Sequence, residues 1–118
     1  MLRGQHGVRE AIIKKGFSSC CISEITYAEI LSGAVKSGLG RHQHEIDFIK
    51  DHFDILPISD ALDKFATARA ELEIKGTPLD SLDLLIGTTA TALGMVMVTH
   101  NTRHFQKIPG IRLEDWED

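Results

Sequence analysis

The sequence predicts an α/β fold built on a parallel sheet. Three observations carry that expectation. Met95-Val96-Met97-Val98 is an apolar run with Gly94 before it and Thr99-His100-Asn101 after it, the pattern of a short strand covered on both faces, as in parallel sheets. Strand-like and helical segments alternate in the order strand, two helices, strand, two helices, strand, short strand. Asp83 opens the stretch from Leu84 to Leu93, apolar or small nearly all round, which suits a helix enclosed by neighbours rather than one facing water.

Each element has a local reason. Residues 6–15 read as the end of a helix, with Lys14 and Lys15 in its last turn and Gly16 as the stop. Ser18–Ile22 is short, small and apolar, hence a strand. Ser23 caps a helix running to about Lys36, with Glu24 in the favourable first turn. Gly38 and Gly40 break the chain. Arg41–Phe53 is a second helix with Ile46, Ile49 and Phe53 on one face, and Asp54–Pro57 is a brief strand. Ser59 caps a long amphipathic helix to Ile74, whose apolar content is Leu62, Phe65, Ala66, Ala70, Leu72 and Ile74. Gly76-Thr77-Pro78 ends it. After the helix and strand already described, Pro109-Gly110 turns into a last strand near Ile111–Leu113. A βα unit calls for a strand before the first helix, and the reading supplies none.

At 118 residues the chain is expected to form a single domain, 1–118. With 42% hydrophobic and 25% charged residues it can bury a core and stay soluble. No segment approaches the about 20 apolar residues needed to cross a bilayer, and Met1–His6 shows no signal-peptide core. Cys20 and Cys21 are sequence neighbours that point to opposite faces of a strand, so they are expected to pack rather than bridge. A reducing cytoplasm fits best. A net charge of −4 argues against a broad basic surface for nucleic acid. It leaves room for a nuclease whose acidic centre is neutralised by a cation.

The polar groups each carry two readings. Glu29 stands one turn after Ile25, at the border of the core-facing stripe, with Gly33 rather than a cation at the next turn. It is either a solvated flank carboxylate or a metal ligand. Asp80-Ser81-Leu82-Asp83 resembles a capping box. Against that, a carboxylate at the start of so apolar a helix is partly buried and needs a partner such as a divalent cation. Asn101 is either a turn or cap residue after a strand ending at Thr99, or a polar group at the sheet edge where α/β chemistry sits. Arg103, His104 and Lys107 form a small cationic group, a solvated face or a phosphate dock. His42 and His44 diverge on a helix and are not a zinc pair. The acids at 114, 115, 117 and 118 read as a solvated end.

Four segments in order resemble one known family. They are Ile22-Ser23-Glu24-Ile25-Thr26-Tyr27-Ala28-Glu29-Ile30; Gly76-Thr77-Pro78 followed by Asp83-Leu84-Leu85-Ile86; Val98-Thr99-His100-Asn101-Thr102-Arg103-His104-Phe105; and Ile108-Pro109-Gly110-Ile111-Arg112-Leu113-Glu114-Asp115-Trp116. The chain resembles PIN-domain ribonucleases, specifically the VapC-type toxins of toxin–antitoxin pairs. The resemblance implies an α/β/α sandwich with a parallel sheet, RNA cleavage dependent on Mg²⁺ or Mn²⁺, a cognate antitoxin and a homodimer. Carried over residue by residue, it implies Glu29, Asp83 and Asn101 as catalytic residues, with Glu29 and Asp83 as metal ligands and Thr99 as a supporting hydroxyl. Arg103 and Lys107 would contact the RNA backbone.

The departure lies at the start. The family opens with an apolar strand ending in Asp-Thr-Asn, and Met1-Leu2-Arg3-Gly4 resembles part of the segment that follows that strand. The expectation is therefore a PIN-like sheet lacking its first strand and that strand's aspartate. Two function classes follow: a metal-dependent endoribonuclease toxin, or a shortened, catalytically impaired module that binds an antitoxin or itself without cleaving RNA.

Overall fold

The computed structural model describes residues 20–115. In order these form β1 (Cys21–Ser23), α1 (Glu24–Ser37), α2 (Leu39–His52), β2 (Asp54–Leu56), a 3-10 turn (Ser59–Ala61), α3 (Leu62–Ile74), α4 (Ser81–Ala92), β3 (Met97–Val98), α5 (Thr102–Phe105) and β4 (Leu113–Glu114). The helix expected over 6–15, and residues 18–19 of the expected first strand, lie outside the described residues.

The strands pair in parallel, as the apolar runs predict. Cys21 lies opposite Asp54, and Ser23 opposite Leu56. Met97 lies opposite Leu113, and Val98 opposite Glu114. These are two separate pairs among the described residues. They abut through side chains: Cys21 Sγ is 3.4 Å from Met95 Sδ, and Cys20 and Ile22 share an apolar cluster with Val98. Neither cysteine forms a disulfide among the described residues, and both are buried, as expected. Met97 and Val98 are both buried, so β3 is covered on its two faces. It is shorter than the expected Met95–Val98 run.

Among the described residues, side-chain caps start two of the five helices, α1 and α4. The Ser23 hydroxyl accepts the Thr26 N–H at 3.0 Å, the predicted N-cap of α1. Gly38, at a φ of 104°, lets the chain turn directly from α1 into α2. Gly40 does not break the chain; it is the second residue of α2, which begins at Leu39. Ser59 does not cap either. It lies inside the 3-10 turn that precedes α3.

The apolar content of α3 divides differently from the expectation. Ala61, Phe65, Ala68 and Leu72 recur at helical spacing and face inward. Leu62, Ala66, Ala70 and Ile74 are exposed, Ile74 at 86%. The small residues Ala61 and Ala68 let the helix close on α4, which fixes the inward stripe.

Helix α4 is the centre of the main core. Leu84, Ile86, Gly87, Thr88, Thr89 and Ala90 are all buried. Buried hydroxyls need partners. Thr88 Oγ1 donates to the Leu84 carbonyl and Thr89 Oγ1 to the Leu85 carbonyl, each at 2.7 Å. At Gly87 an added Cβ would stand 2.2 Å from Ile108 Cδ1, so any larger residue would require the Ile108 side chain to move. Leu84, Ile86 and Ala90 share their cluster with Cys21, Leu72, Met97, Phe105 and Ile108.

Candidate active site

The site is built at the carboxyl end of β3. Thr99 is buried, and its N–H donates to the Glu114 carbonyl at 3.0 Å, extending the β3–β4 pairing by one step. Its hydroxyl accepts the Asn101 N–H at 3.1 Å and so bends the chain sharply off the strand. The Asn101 carbonyl then accepts the N–H of His104 at 3.2 Å and of Phe105 at 3.3 Å, which starts α5. Phe105, 2% exposed, anchors that short helix in the main core.

His104 completes the path. Its Nε2 lies 3.1 Å from Asp83 Oδ2, with both side chains about a quarter exposed (29% and 22%). An ionised carboxylate only accepts, so Nε2 carries the shared proton. The His104 ring also sits edge-on to the Phe105 ring, with centroids 4.9 Å apart. Asp83 is thereby tied to the segment that carries Thr99 and Asn101.

The two acids at the start of α4 have distinct parts. The Asp80 carboxylate accepts from the N–H groups of Leu82 at 3.1 Å and Asp83 at 3.3 Å, and is the N-cap. The Asp83 carboxylate reaches across to α5. The capping reading therefore belongs to Asp80.

Asn101 occupies the N-cap position of α5, but its amide makes no capping bond and is exposed. The cationic group expected from Arg103, His104 and Lys107 is divided. Arg103 and Lys107 are exposed, whereas His104 turns inward to Asp83. Glu29 stands on α1, half-buried, with its Oε1 shielded from solvent. Helix α1 packs on α4, and Ile25, one turn before Glu29, packs against the cluster that holds Leu84.

Among the described residues, no three of His, Cys, Asp and Glu gather in a metal-holding cluster. The donors expected from the sequence are the Glu29 and Asp83 carboxylates, the Asn101 amide and the Thr99 hydroxyl. All are hard oxygens. Mg²⁺ takes only one or two carboxylates directly and keeps several waters, so this donor set fits it. It does not fit structural zinc, which wants four nitrogen or sulfur ligands.

Three contacts were not legible beforehand. His104 looked like one member of a cationic cluster. Glu24 looked like a first-turn acid only, yet its Oε1 accepts the Ile58 N–H at 2.7 Å and pins α1 to the loop after β2. Asp115 is not simply part of a solvated end: it lies 3.2 Å from His100 Nδ1.

The PIN domain model matches residues 3–111 of the chain. A tRNA(fMet)-specific endonuclease VapC from Salmonella typhimurium is 40% identical over 84% of this chain and 76% of its own length. The endonuclease of the same name from Shigella flexneri is 36% identical over 81% of this chain and 74% of its own. Among solved structures, DNA-bound VapBC from Salmonella typhimurium superposes with a TM-score of 0.85 at 37% identity, covering 95% of this chain and 86% of the other. VapBC2 from Rickettsia felis, bound to a promoter fragment, gives a TM-score of 0.81 at 28% identity and covers 98% of each chain. The parallel strand pairs, the buried α4 and the polar edge beyond β3 are thus those of a known architecture, and the chain belongs to the PIN-domain family, among the VapC ribonucleases.

Proposed function

We propose that this PIN-domain ribonuclease toxin cuts RNA phosphodiesters at the carboxyl edge of β3, with a divalent cation held by Glu29 and Asp83. The observation that carries the reading is the continuous hydrogen-bonded path from Thr99 through Asn101 and His104 to Asp83. It couples the strand end to the first turn of α4, which carries the half-buried Asp83 carboxylate. Mg²⁺, or Mn²⁺ in its place, would supply polarisation of the scissile phosphate and an activated water when bound. Asn101 orients a water from its exposed amide, and the Thr99 hydroxyl fixes the turn that presents it. Arg103 and Lys107 meet RNA phosphates beside the acidic centre, which reconciles nucleic-acid binding with a net charge of −4.

Two of the similar proteins are named as tRNA(fMet)-specific endonucleases, so tRNA is the substrate class to test first. An antitoxin and a second copy of the chain are the proposed partners. Two of the similar structures are VapBC assemblies, and Val35 and Phe48 on α1 and α2 are exposed apolar side chains that a partner would cover. Residues 1–118 act as one domain in this reading. The nuclease names of the relatives favour catalysis over a non-cleaving binding module. No helix of the described residues is long and apolar enough to cross a membrane.

The test is tRNA cleavage by the 118-residue chain with Mg²⁺, with EDTA, and with Asp83→Ala. Cleavage that needs Mg²⁺ and disappears in the variant is expected. Equal cleavage by both proteins would mark a contaminating nuclease and overturn the proposal.

A further inference from the structure

We propose that His104 is a positioning residue for the metal site: its imidazole N–H holds the Asp83 carboxylate in the orientation in which it takes the divalent cation. The inference rests on the reading of Asp83 as a metal ligand.

The geometry argues for a rigid mount. His104 Nε2 meets Asp83 Oδ2 at 3.1 Å. The ring is set edge-on against Phe105, which is itself buried in the main core. The His104 backbone N–H is bound by the Asn101 carbonyl. The imidazole therefore has its backbone, its ring plane and its Nε2 all fixed by the surrounding structure. Asp83 sits in the first turn of α4, a helix that is buried along most of its length. A carboxylate tethered at one oxygen loses torsional freedom before the ion arrives, so less ordering entropy opposes binding. Ligating carboxylates are characteristically held by such outer hydrogen bonds, and removing one weakens metal affinity by about 10–100-fold.

The same contact could instead serve only to dock α5 on α4. Two substitutions separate the roles. His104→Phe keeps a ring against Phe105 and removes the donor. His104→Gln places an amide N–H near the position of Nε2. The measurement is Mn²⁺ binding to the full chain without RNA, followed by electron paramagnetic resonance, alongside thermal unfolding without metal. Asp83→Asn is the reference.

The expected result is loss of Mn²⁺ binding in Asp83→Asn, a roughly 10-fold weaker dissociation constant in His104→Phe, and recovery of most of that loss in His104→Gln. If His104→Phe fails to fold, His104→Asn takes its place, since its amide nitrogen mimics Nδ1 rather than Nε2. It should bind more weakly than His104→Gln. Wild-type or tighter binding in the donor-less variant, with binding still lost in Asp83→Asn, overturns the positioning role. Undiminished binding in Asp83→Asn overturns the ligand assignment beneath it.

Discussion

Helices α3 and α4 are successive, nearly equal in length (13 and 12 residues) and packed on each other, yet they are built on different plans. Helix α3 buries one stripe and leaves Leu62 and Ile74 in water. Helix α4 is enclosed on most sides, with three threonine hydroxyls folded back onto its own carbonyls. The difference follows from what each helix carries. Helix α4 presents Asp83 to the edge beyond β3, and a carboxylate on an enclosed helix is held in place by the whole core. Helix α3 carries none of the candidate site residues and acts as a cover, for which one stripe is enough.

That contrast can be broken in order of expected effect. Leu84 is 1% exposed and lies one residue from Asp83. Leu84→Ala should cost about 3 kcal/mol of unfolding free energy in urea titration, because it opens a cavity in the main core. Asp80→Ala removes the cap from α4 while leaving its core face intact. It should cost about 1 kcal/mol by the same measurement. Ile74→Ala, on the exposed side of α3, should stay within about 0.5 kcal/mol of wild type. A large loss for Ile74→Ala would mean that the outward face of α3 is covered in solution, and the contrast between the two helices would fail.

The features that the sequence makes legible are those decided locally. Ser23 is followed by a helical pattern, and it caps. Met97 and Val98 sit in an unbroken apolar run, and both are buried. Gly40 misleads because a glycine inside a helix costs only about 1 kcal/mol relative to alanine, which packing elsewhere in the helix can offset. Helix α3 misleads because its apolar residues lie on more than one side, and only the partner helix decides which side is inside. The His104–Asp83 contact spans 21 positions. No local pattern encodes it, and His104 sits between residues that are charged or aromatic for other reasons. At the candidate site, motif order pointed to Glu29, Asp83, Thr99 and Asn101. The structure ties the last three into one hydrogen-bonded segment and sets Glu29 on the adjoining helix.

The central claim is that Glu29 and Asp83 act on one ion. Single-turnover tRNA cleavage at saturating Mg²⁺ by Glu29→Gln, Asp83→Asn and the double variant tests it most directly. Groups that work as a unit are strongly non-additive. Each single variant should therefore lose nearly as much rate as the double, more than the about 100-fold typical of outer-sphere partners. A Glu29→Gln protein that cleaves at the wild-type rate, or losses that simply multiply in the double variant, would contradict a shared ion.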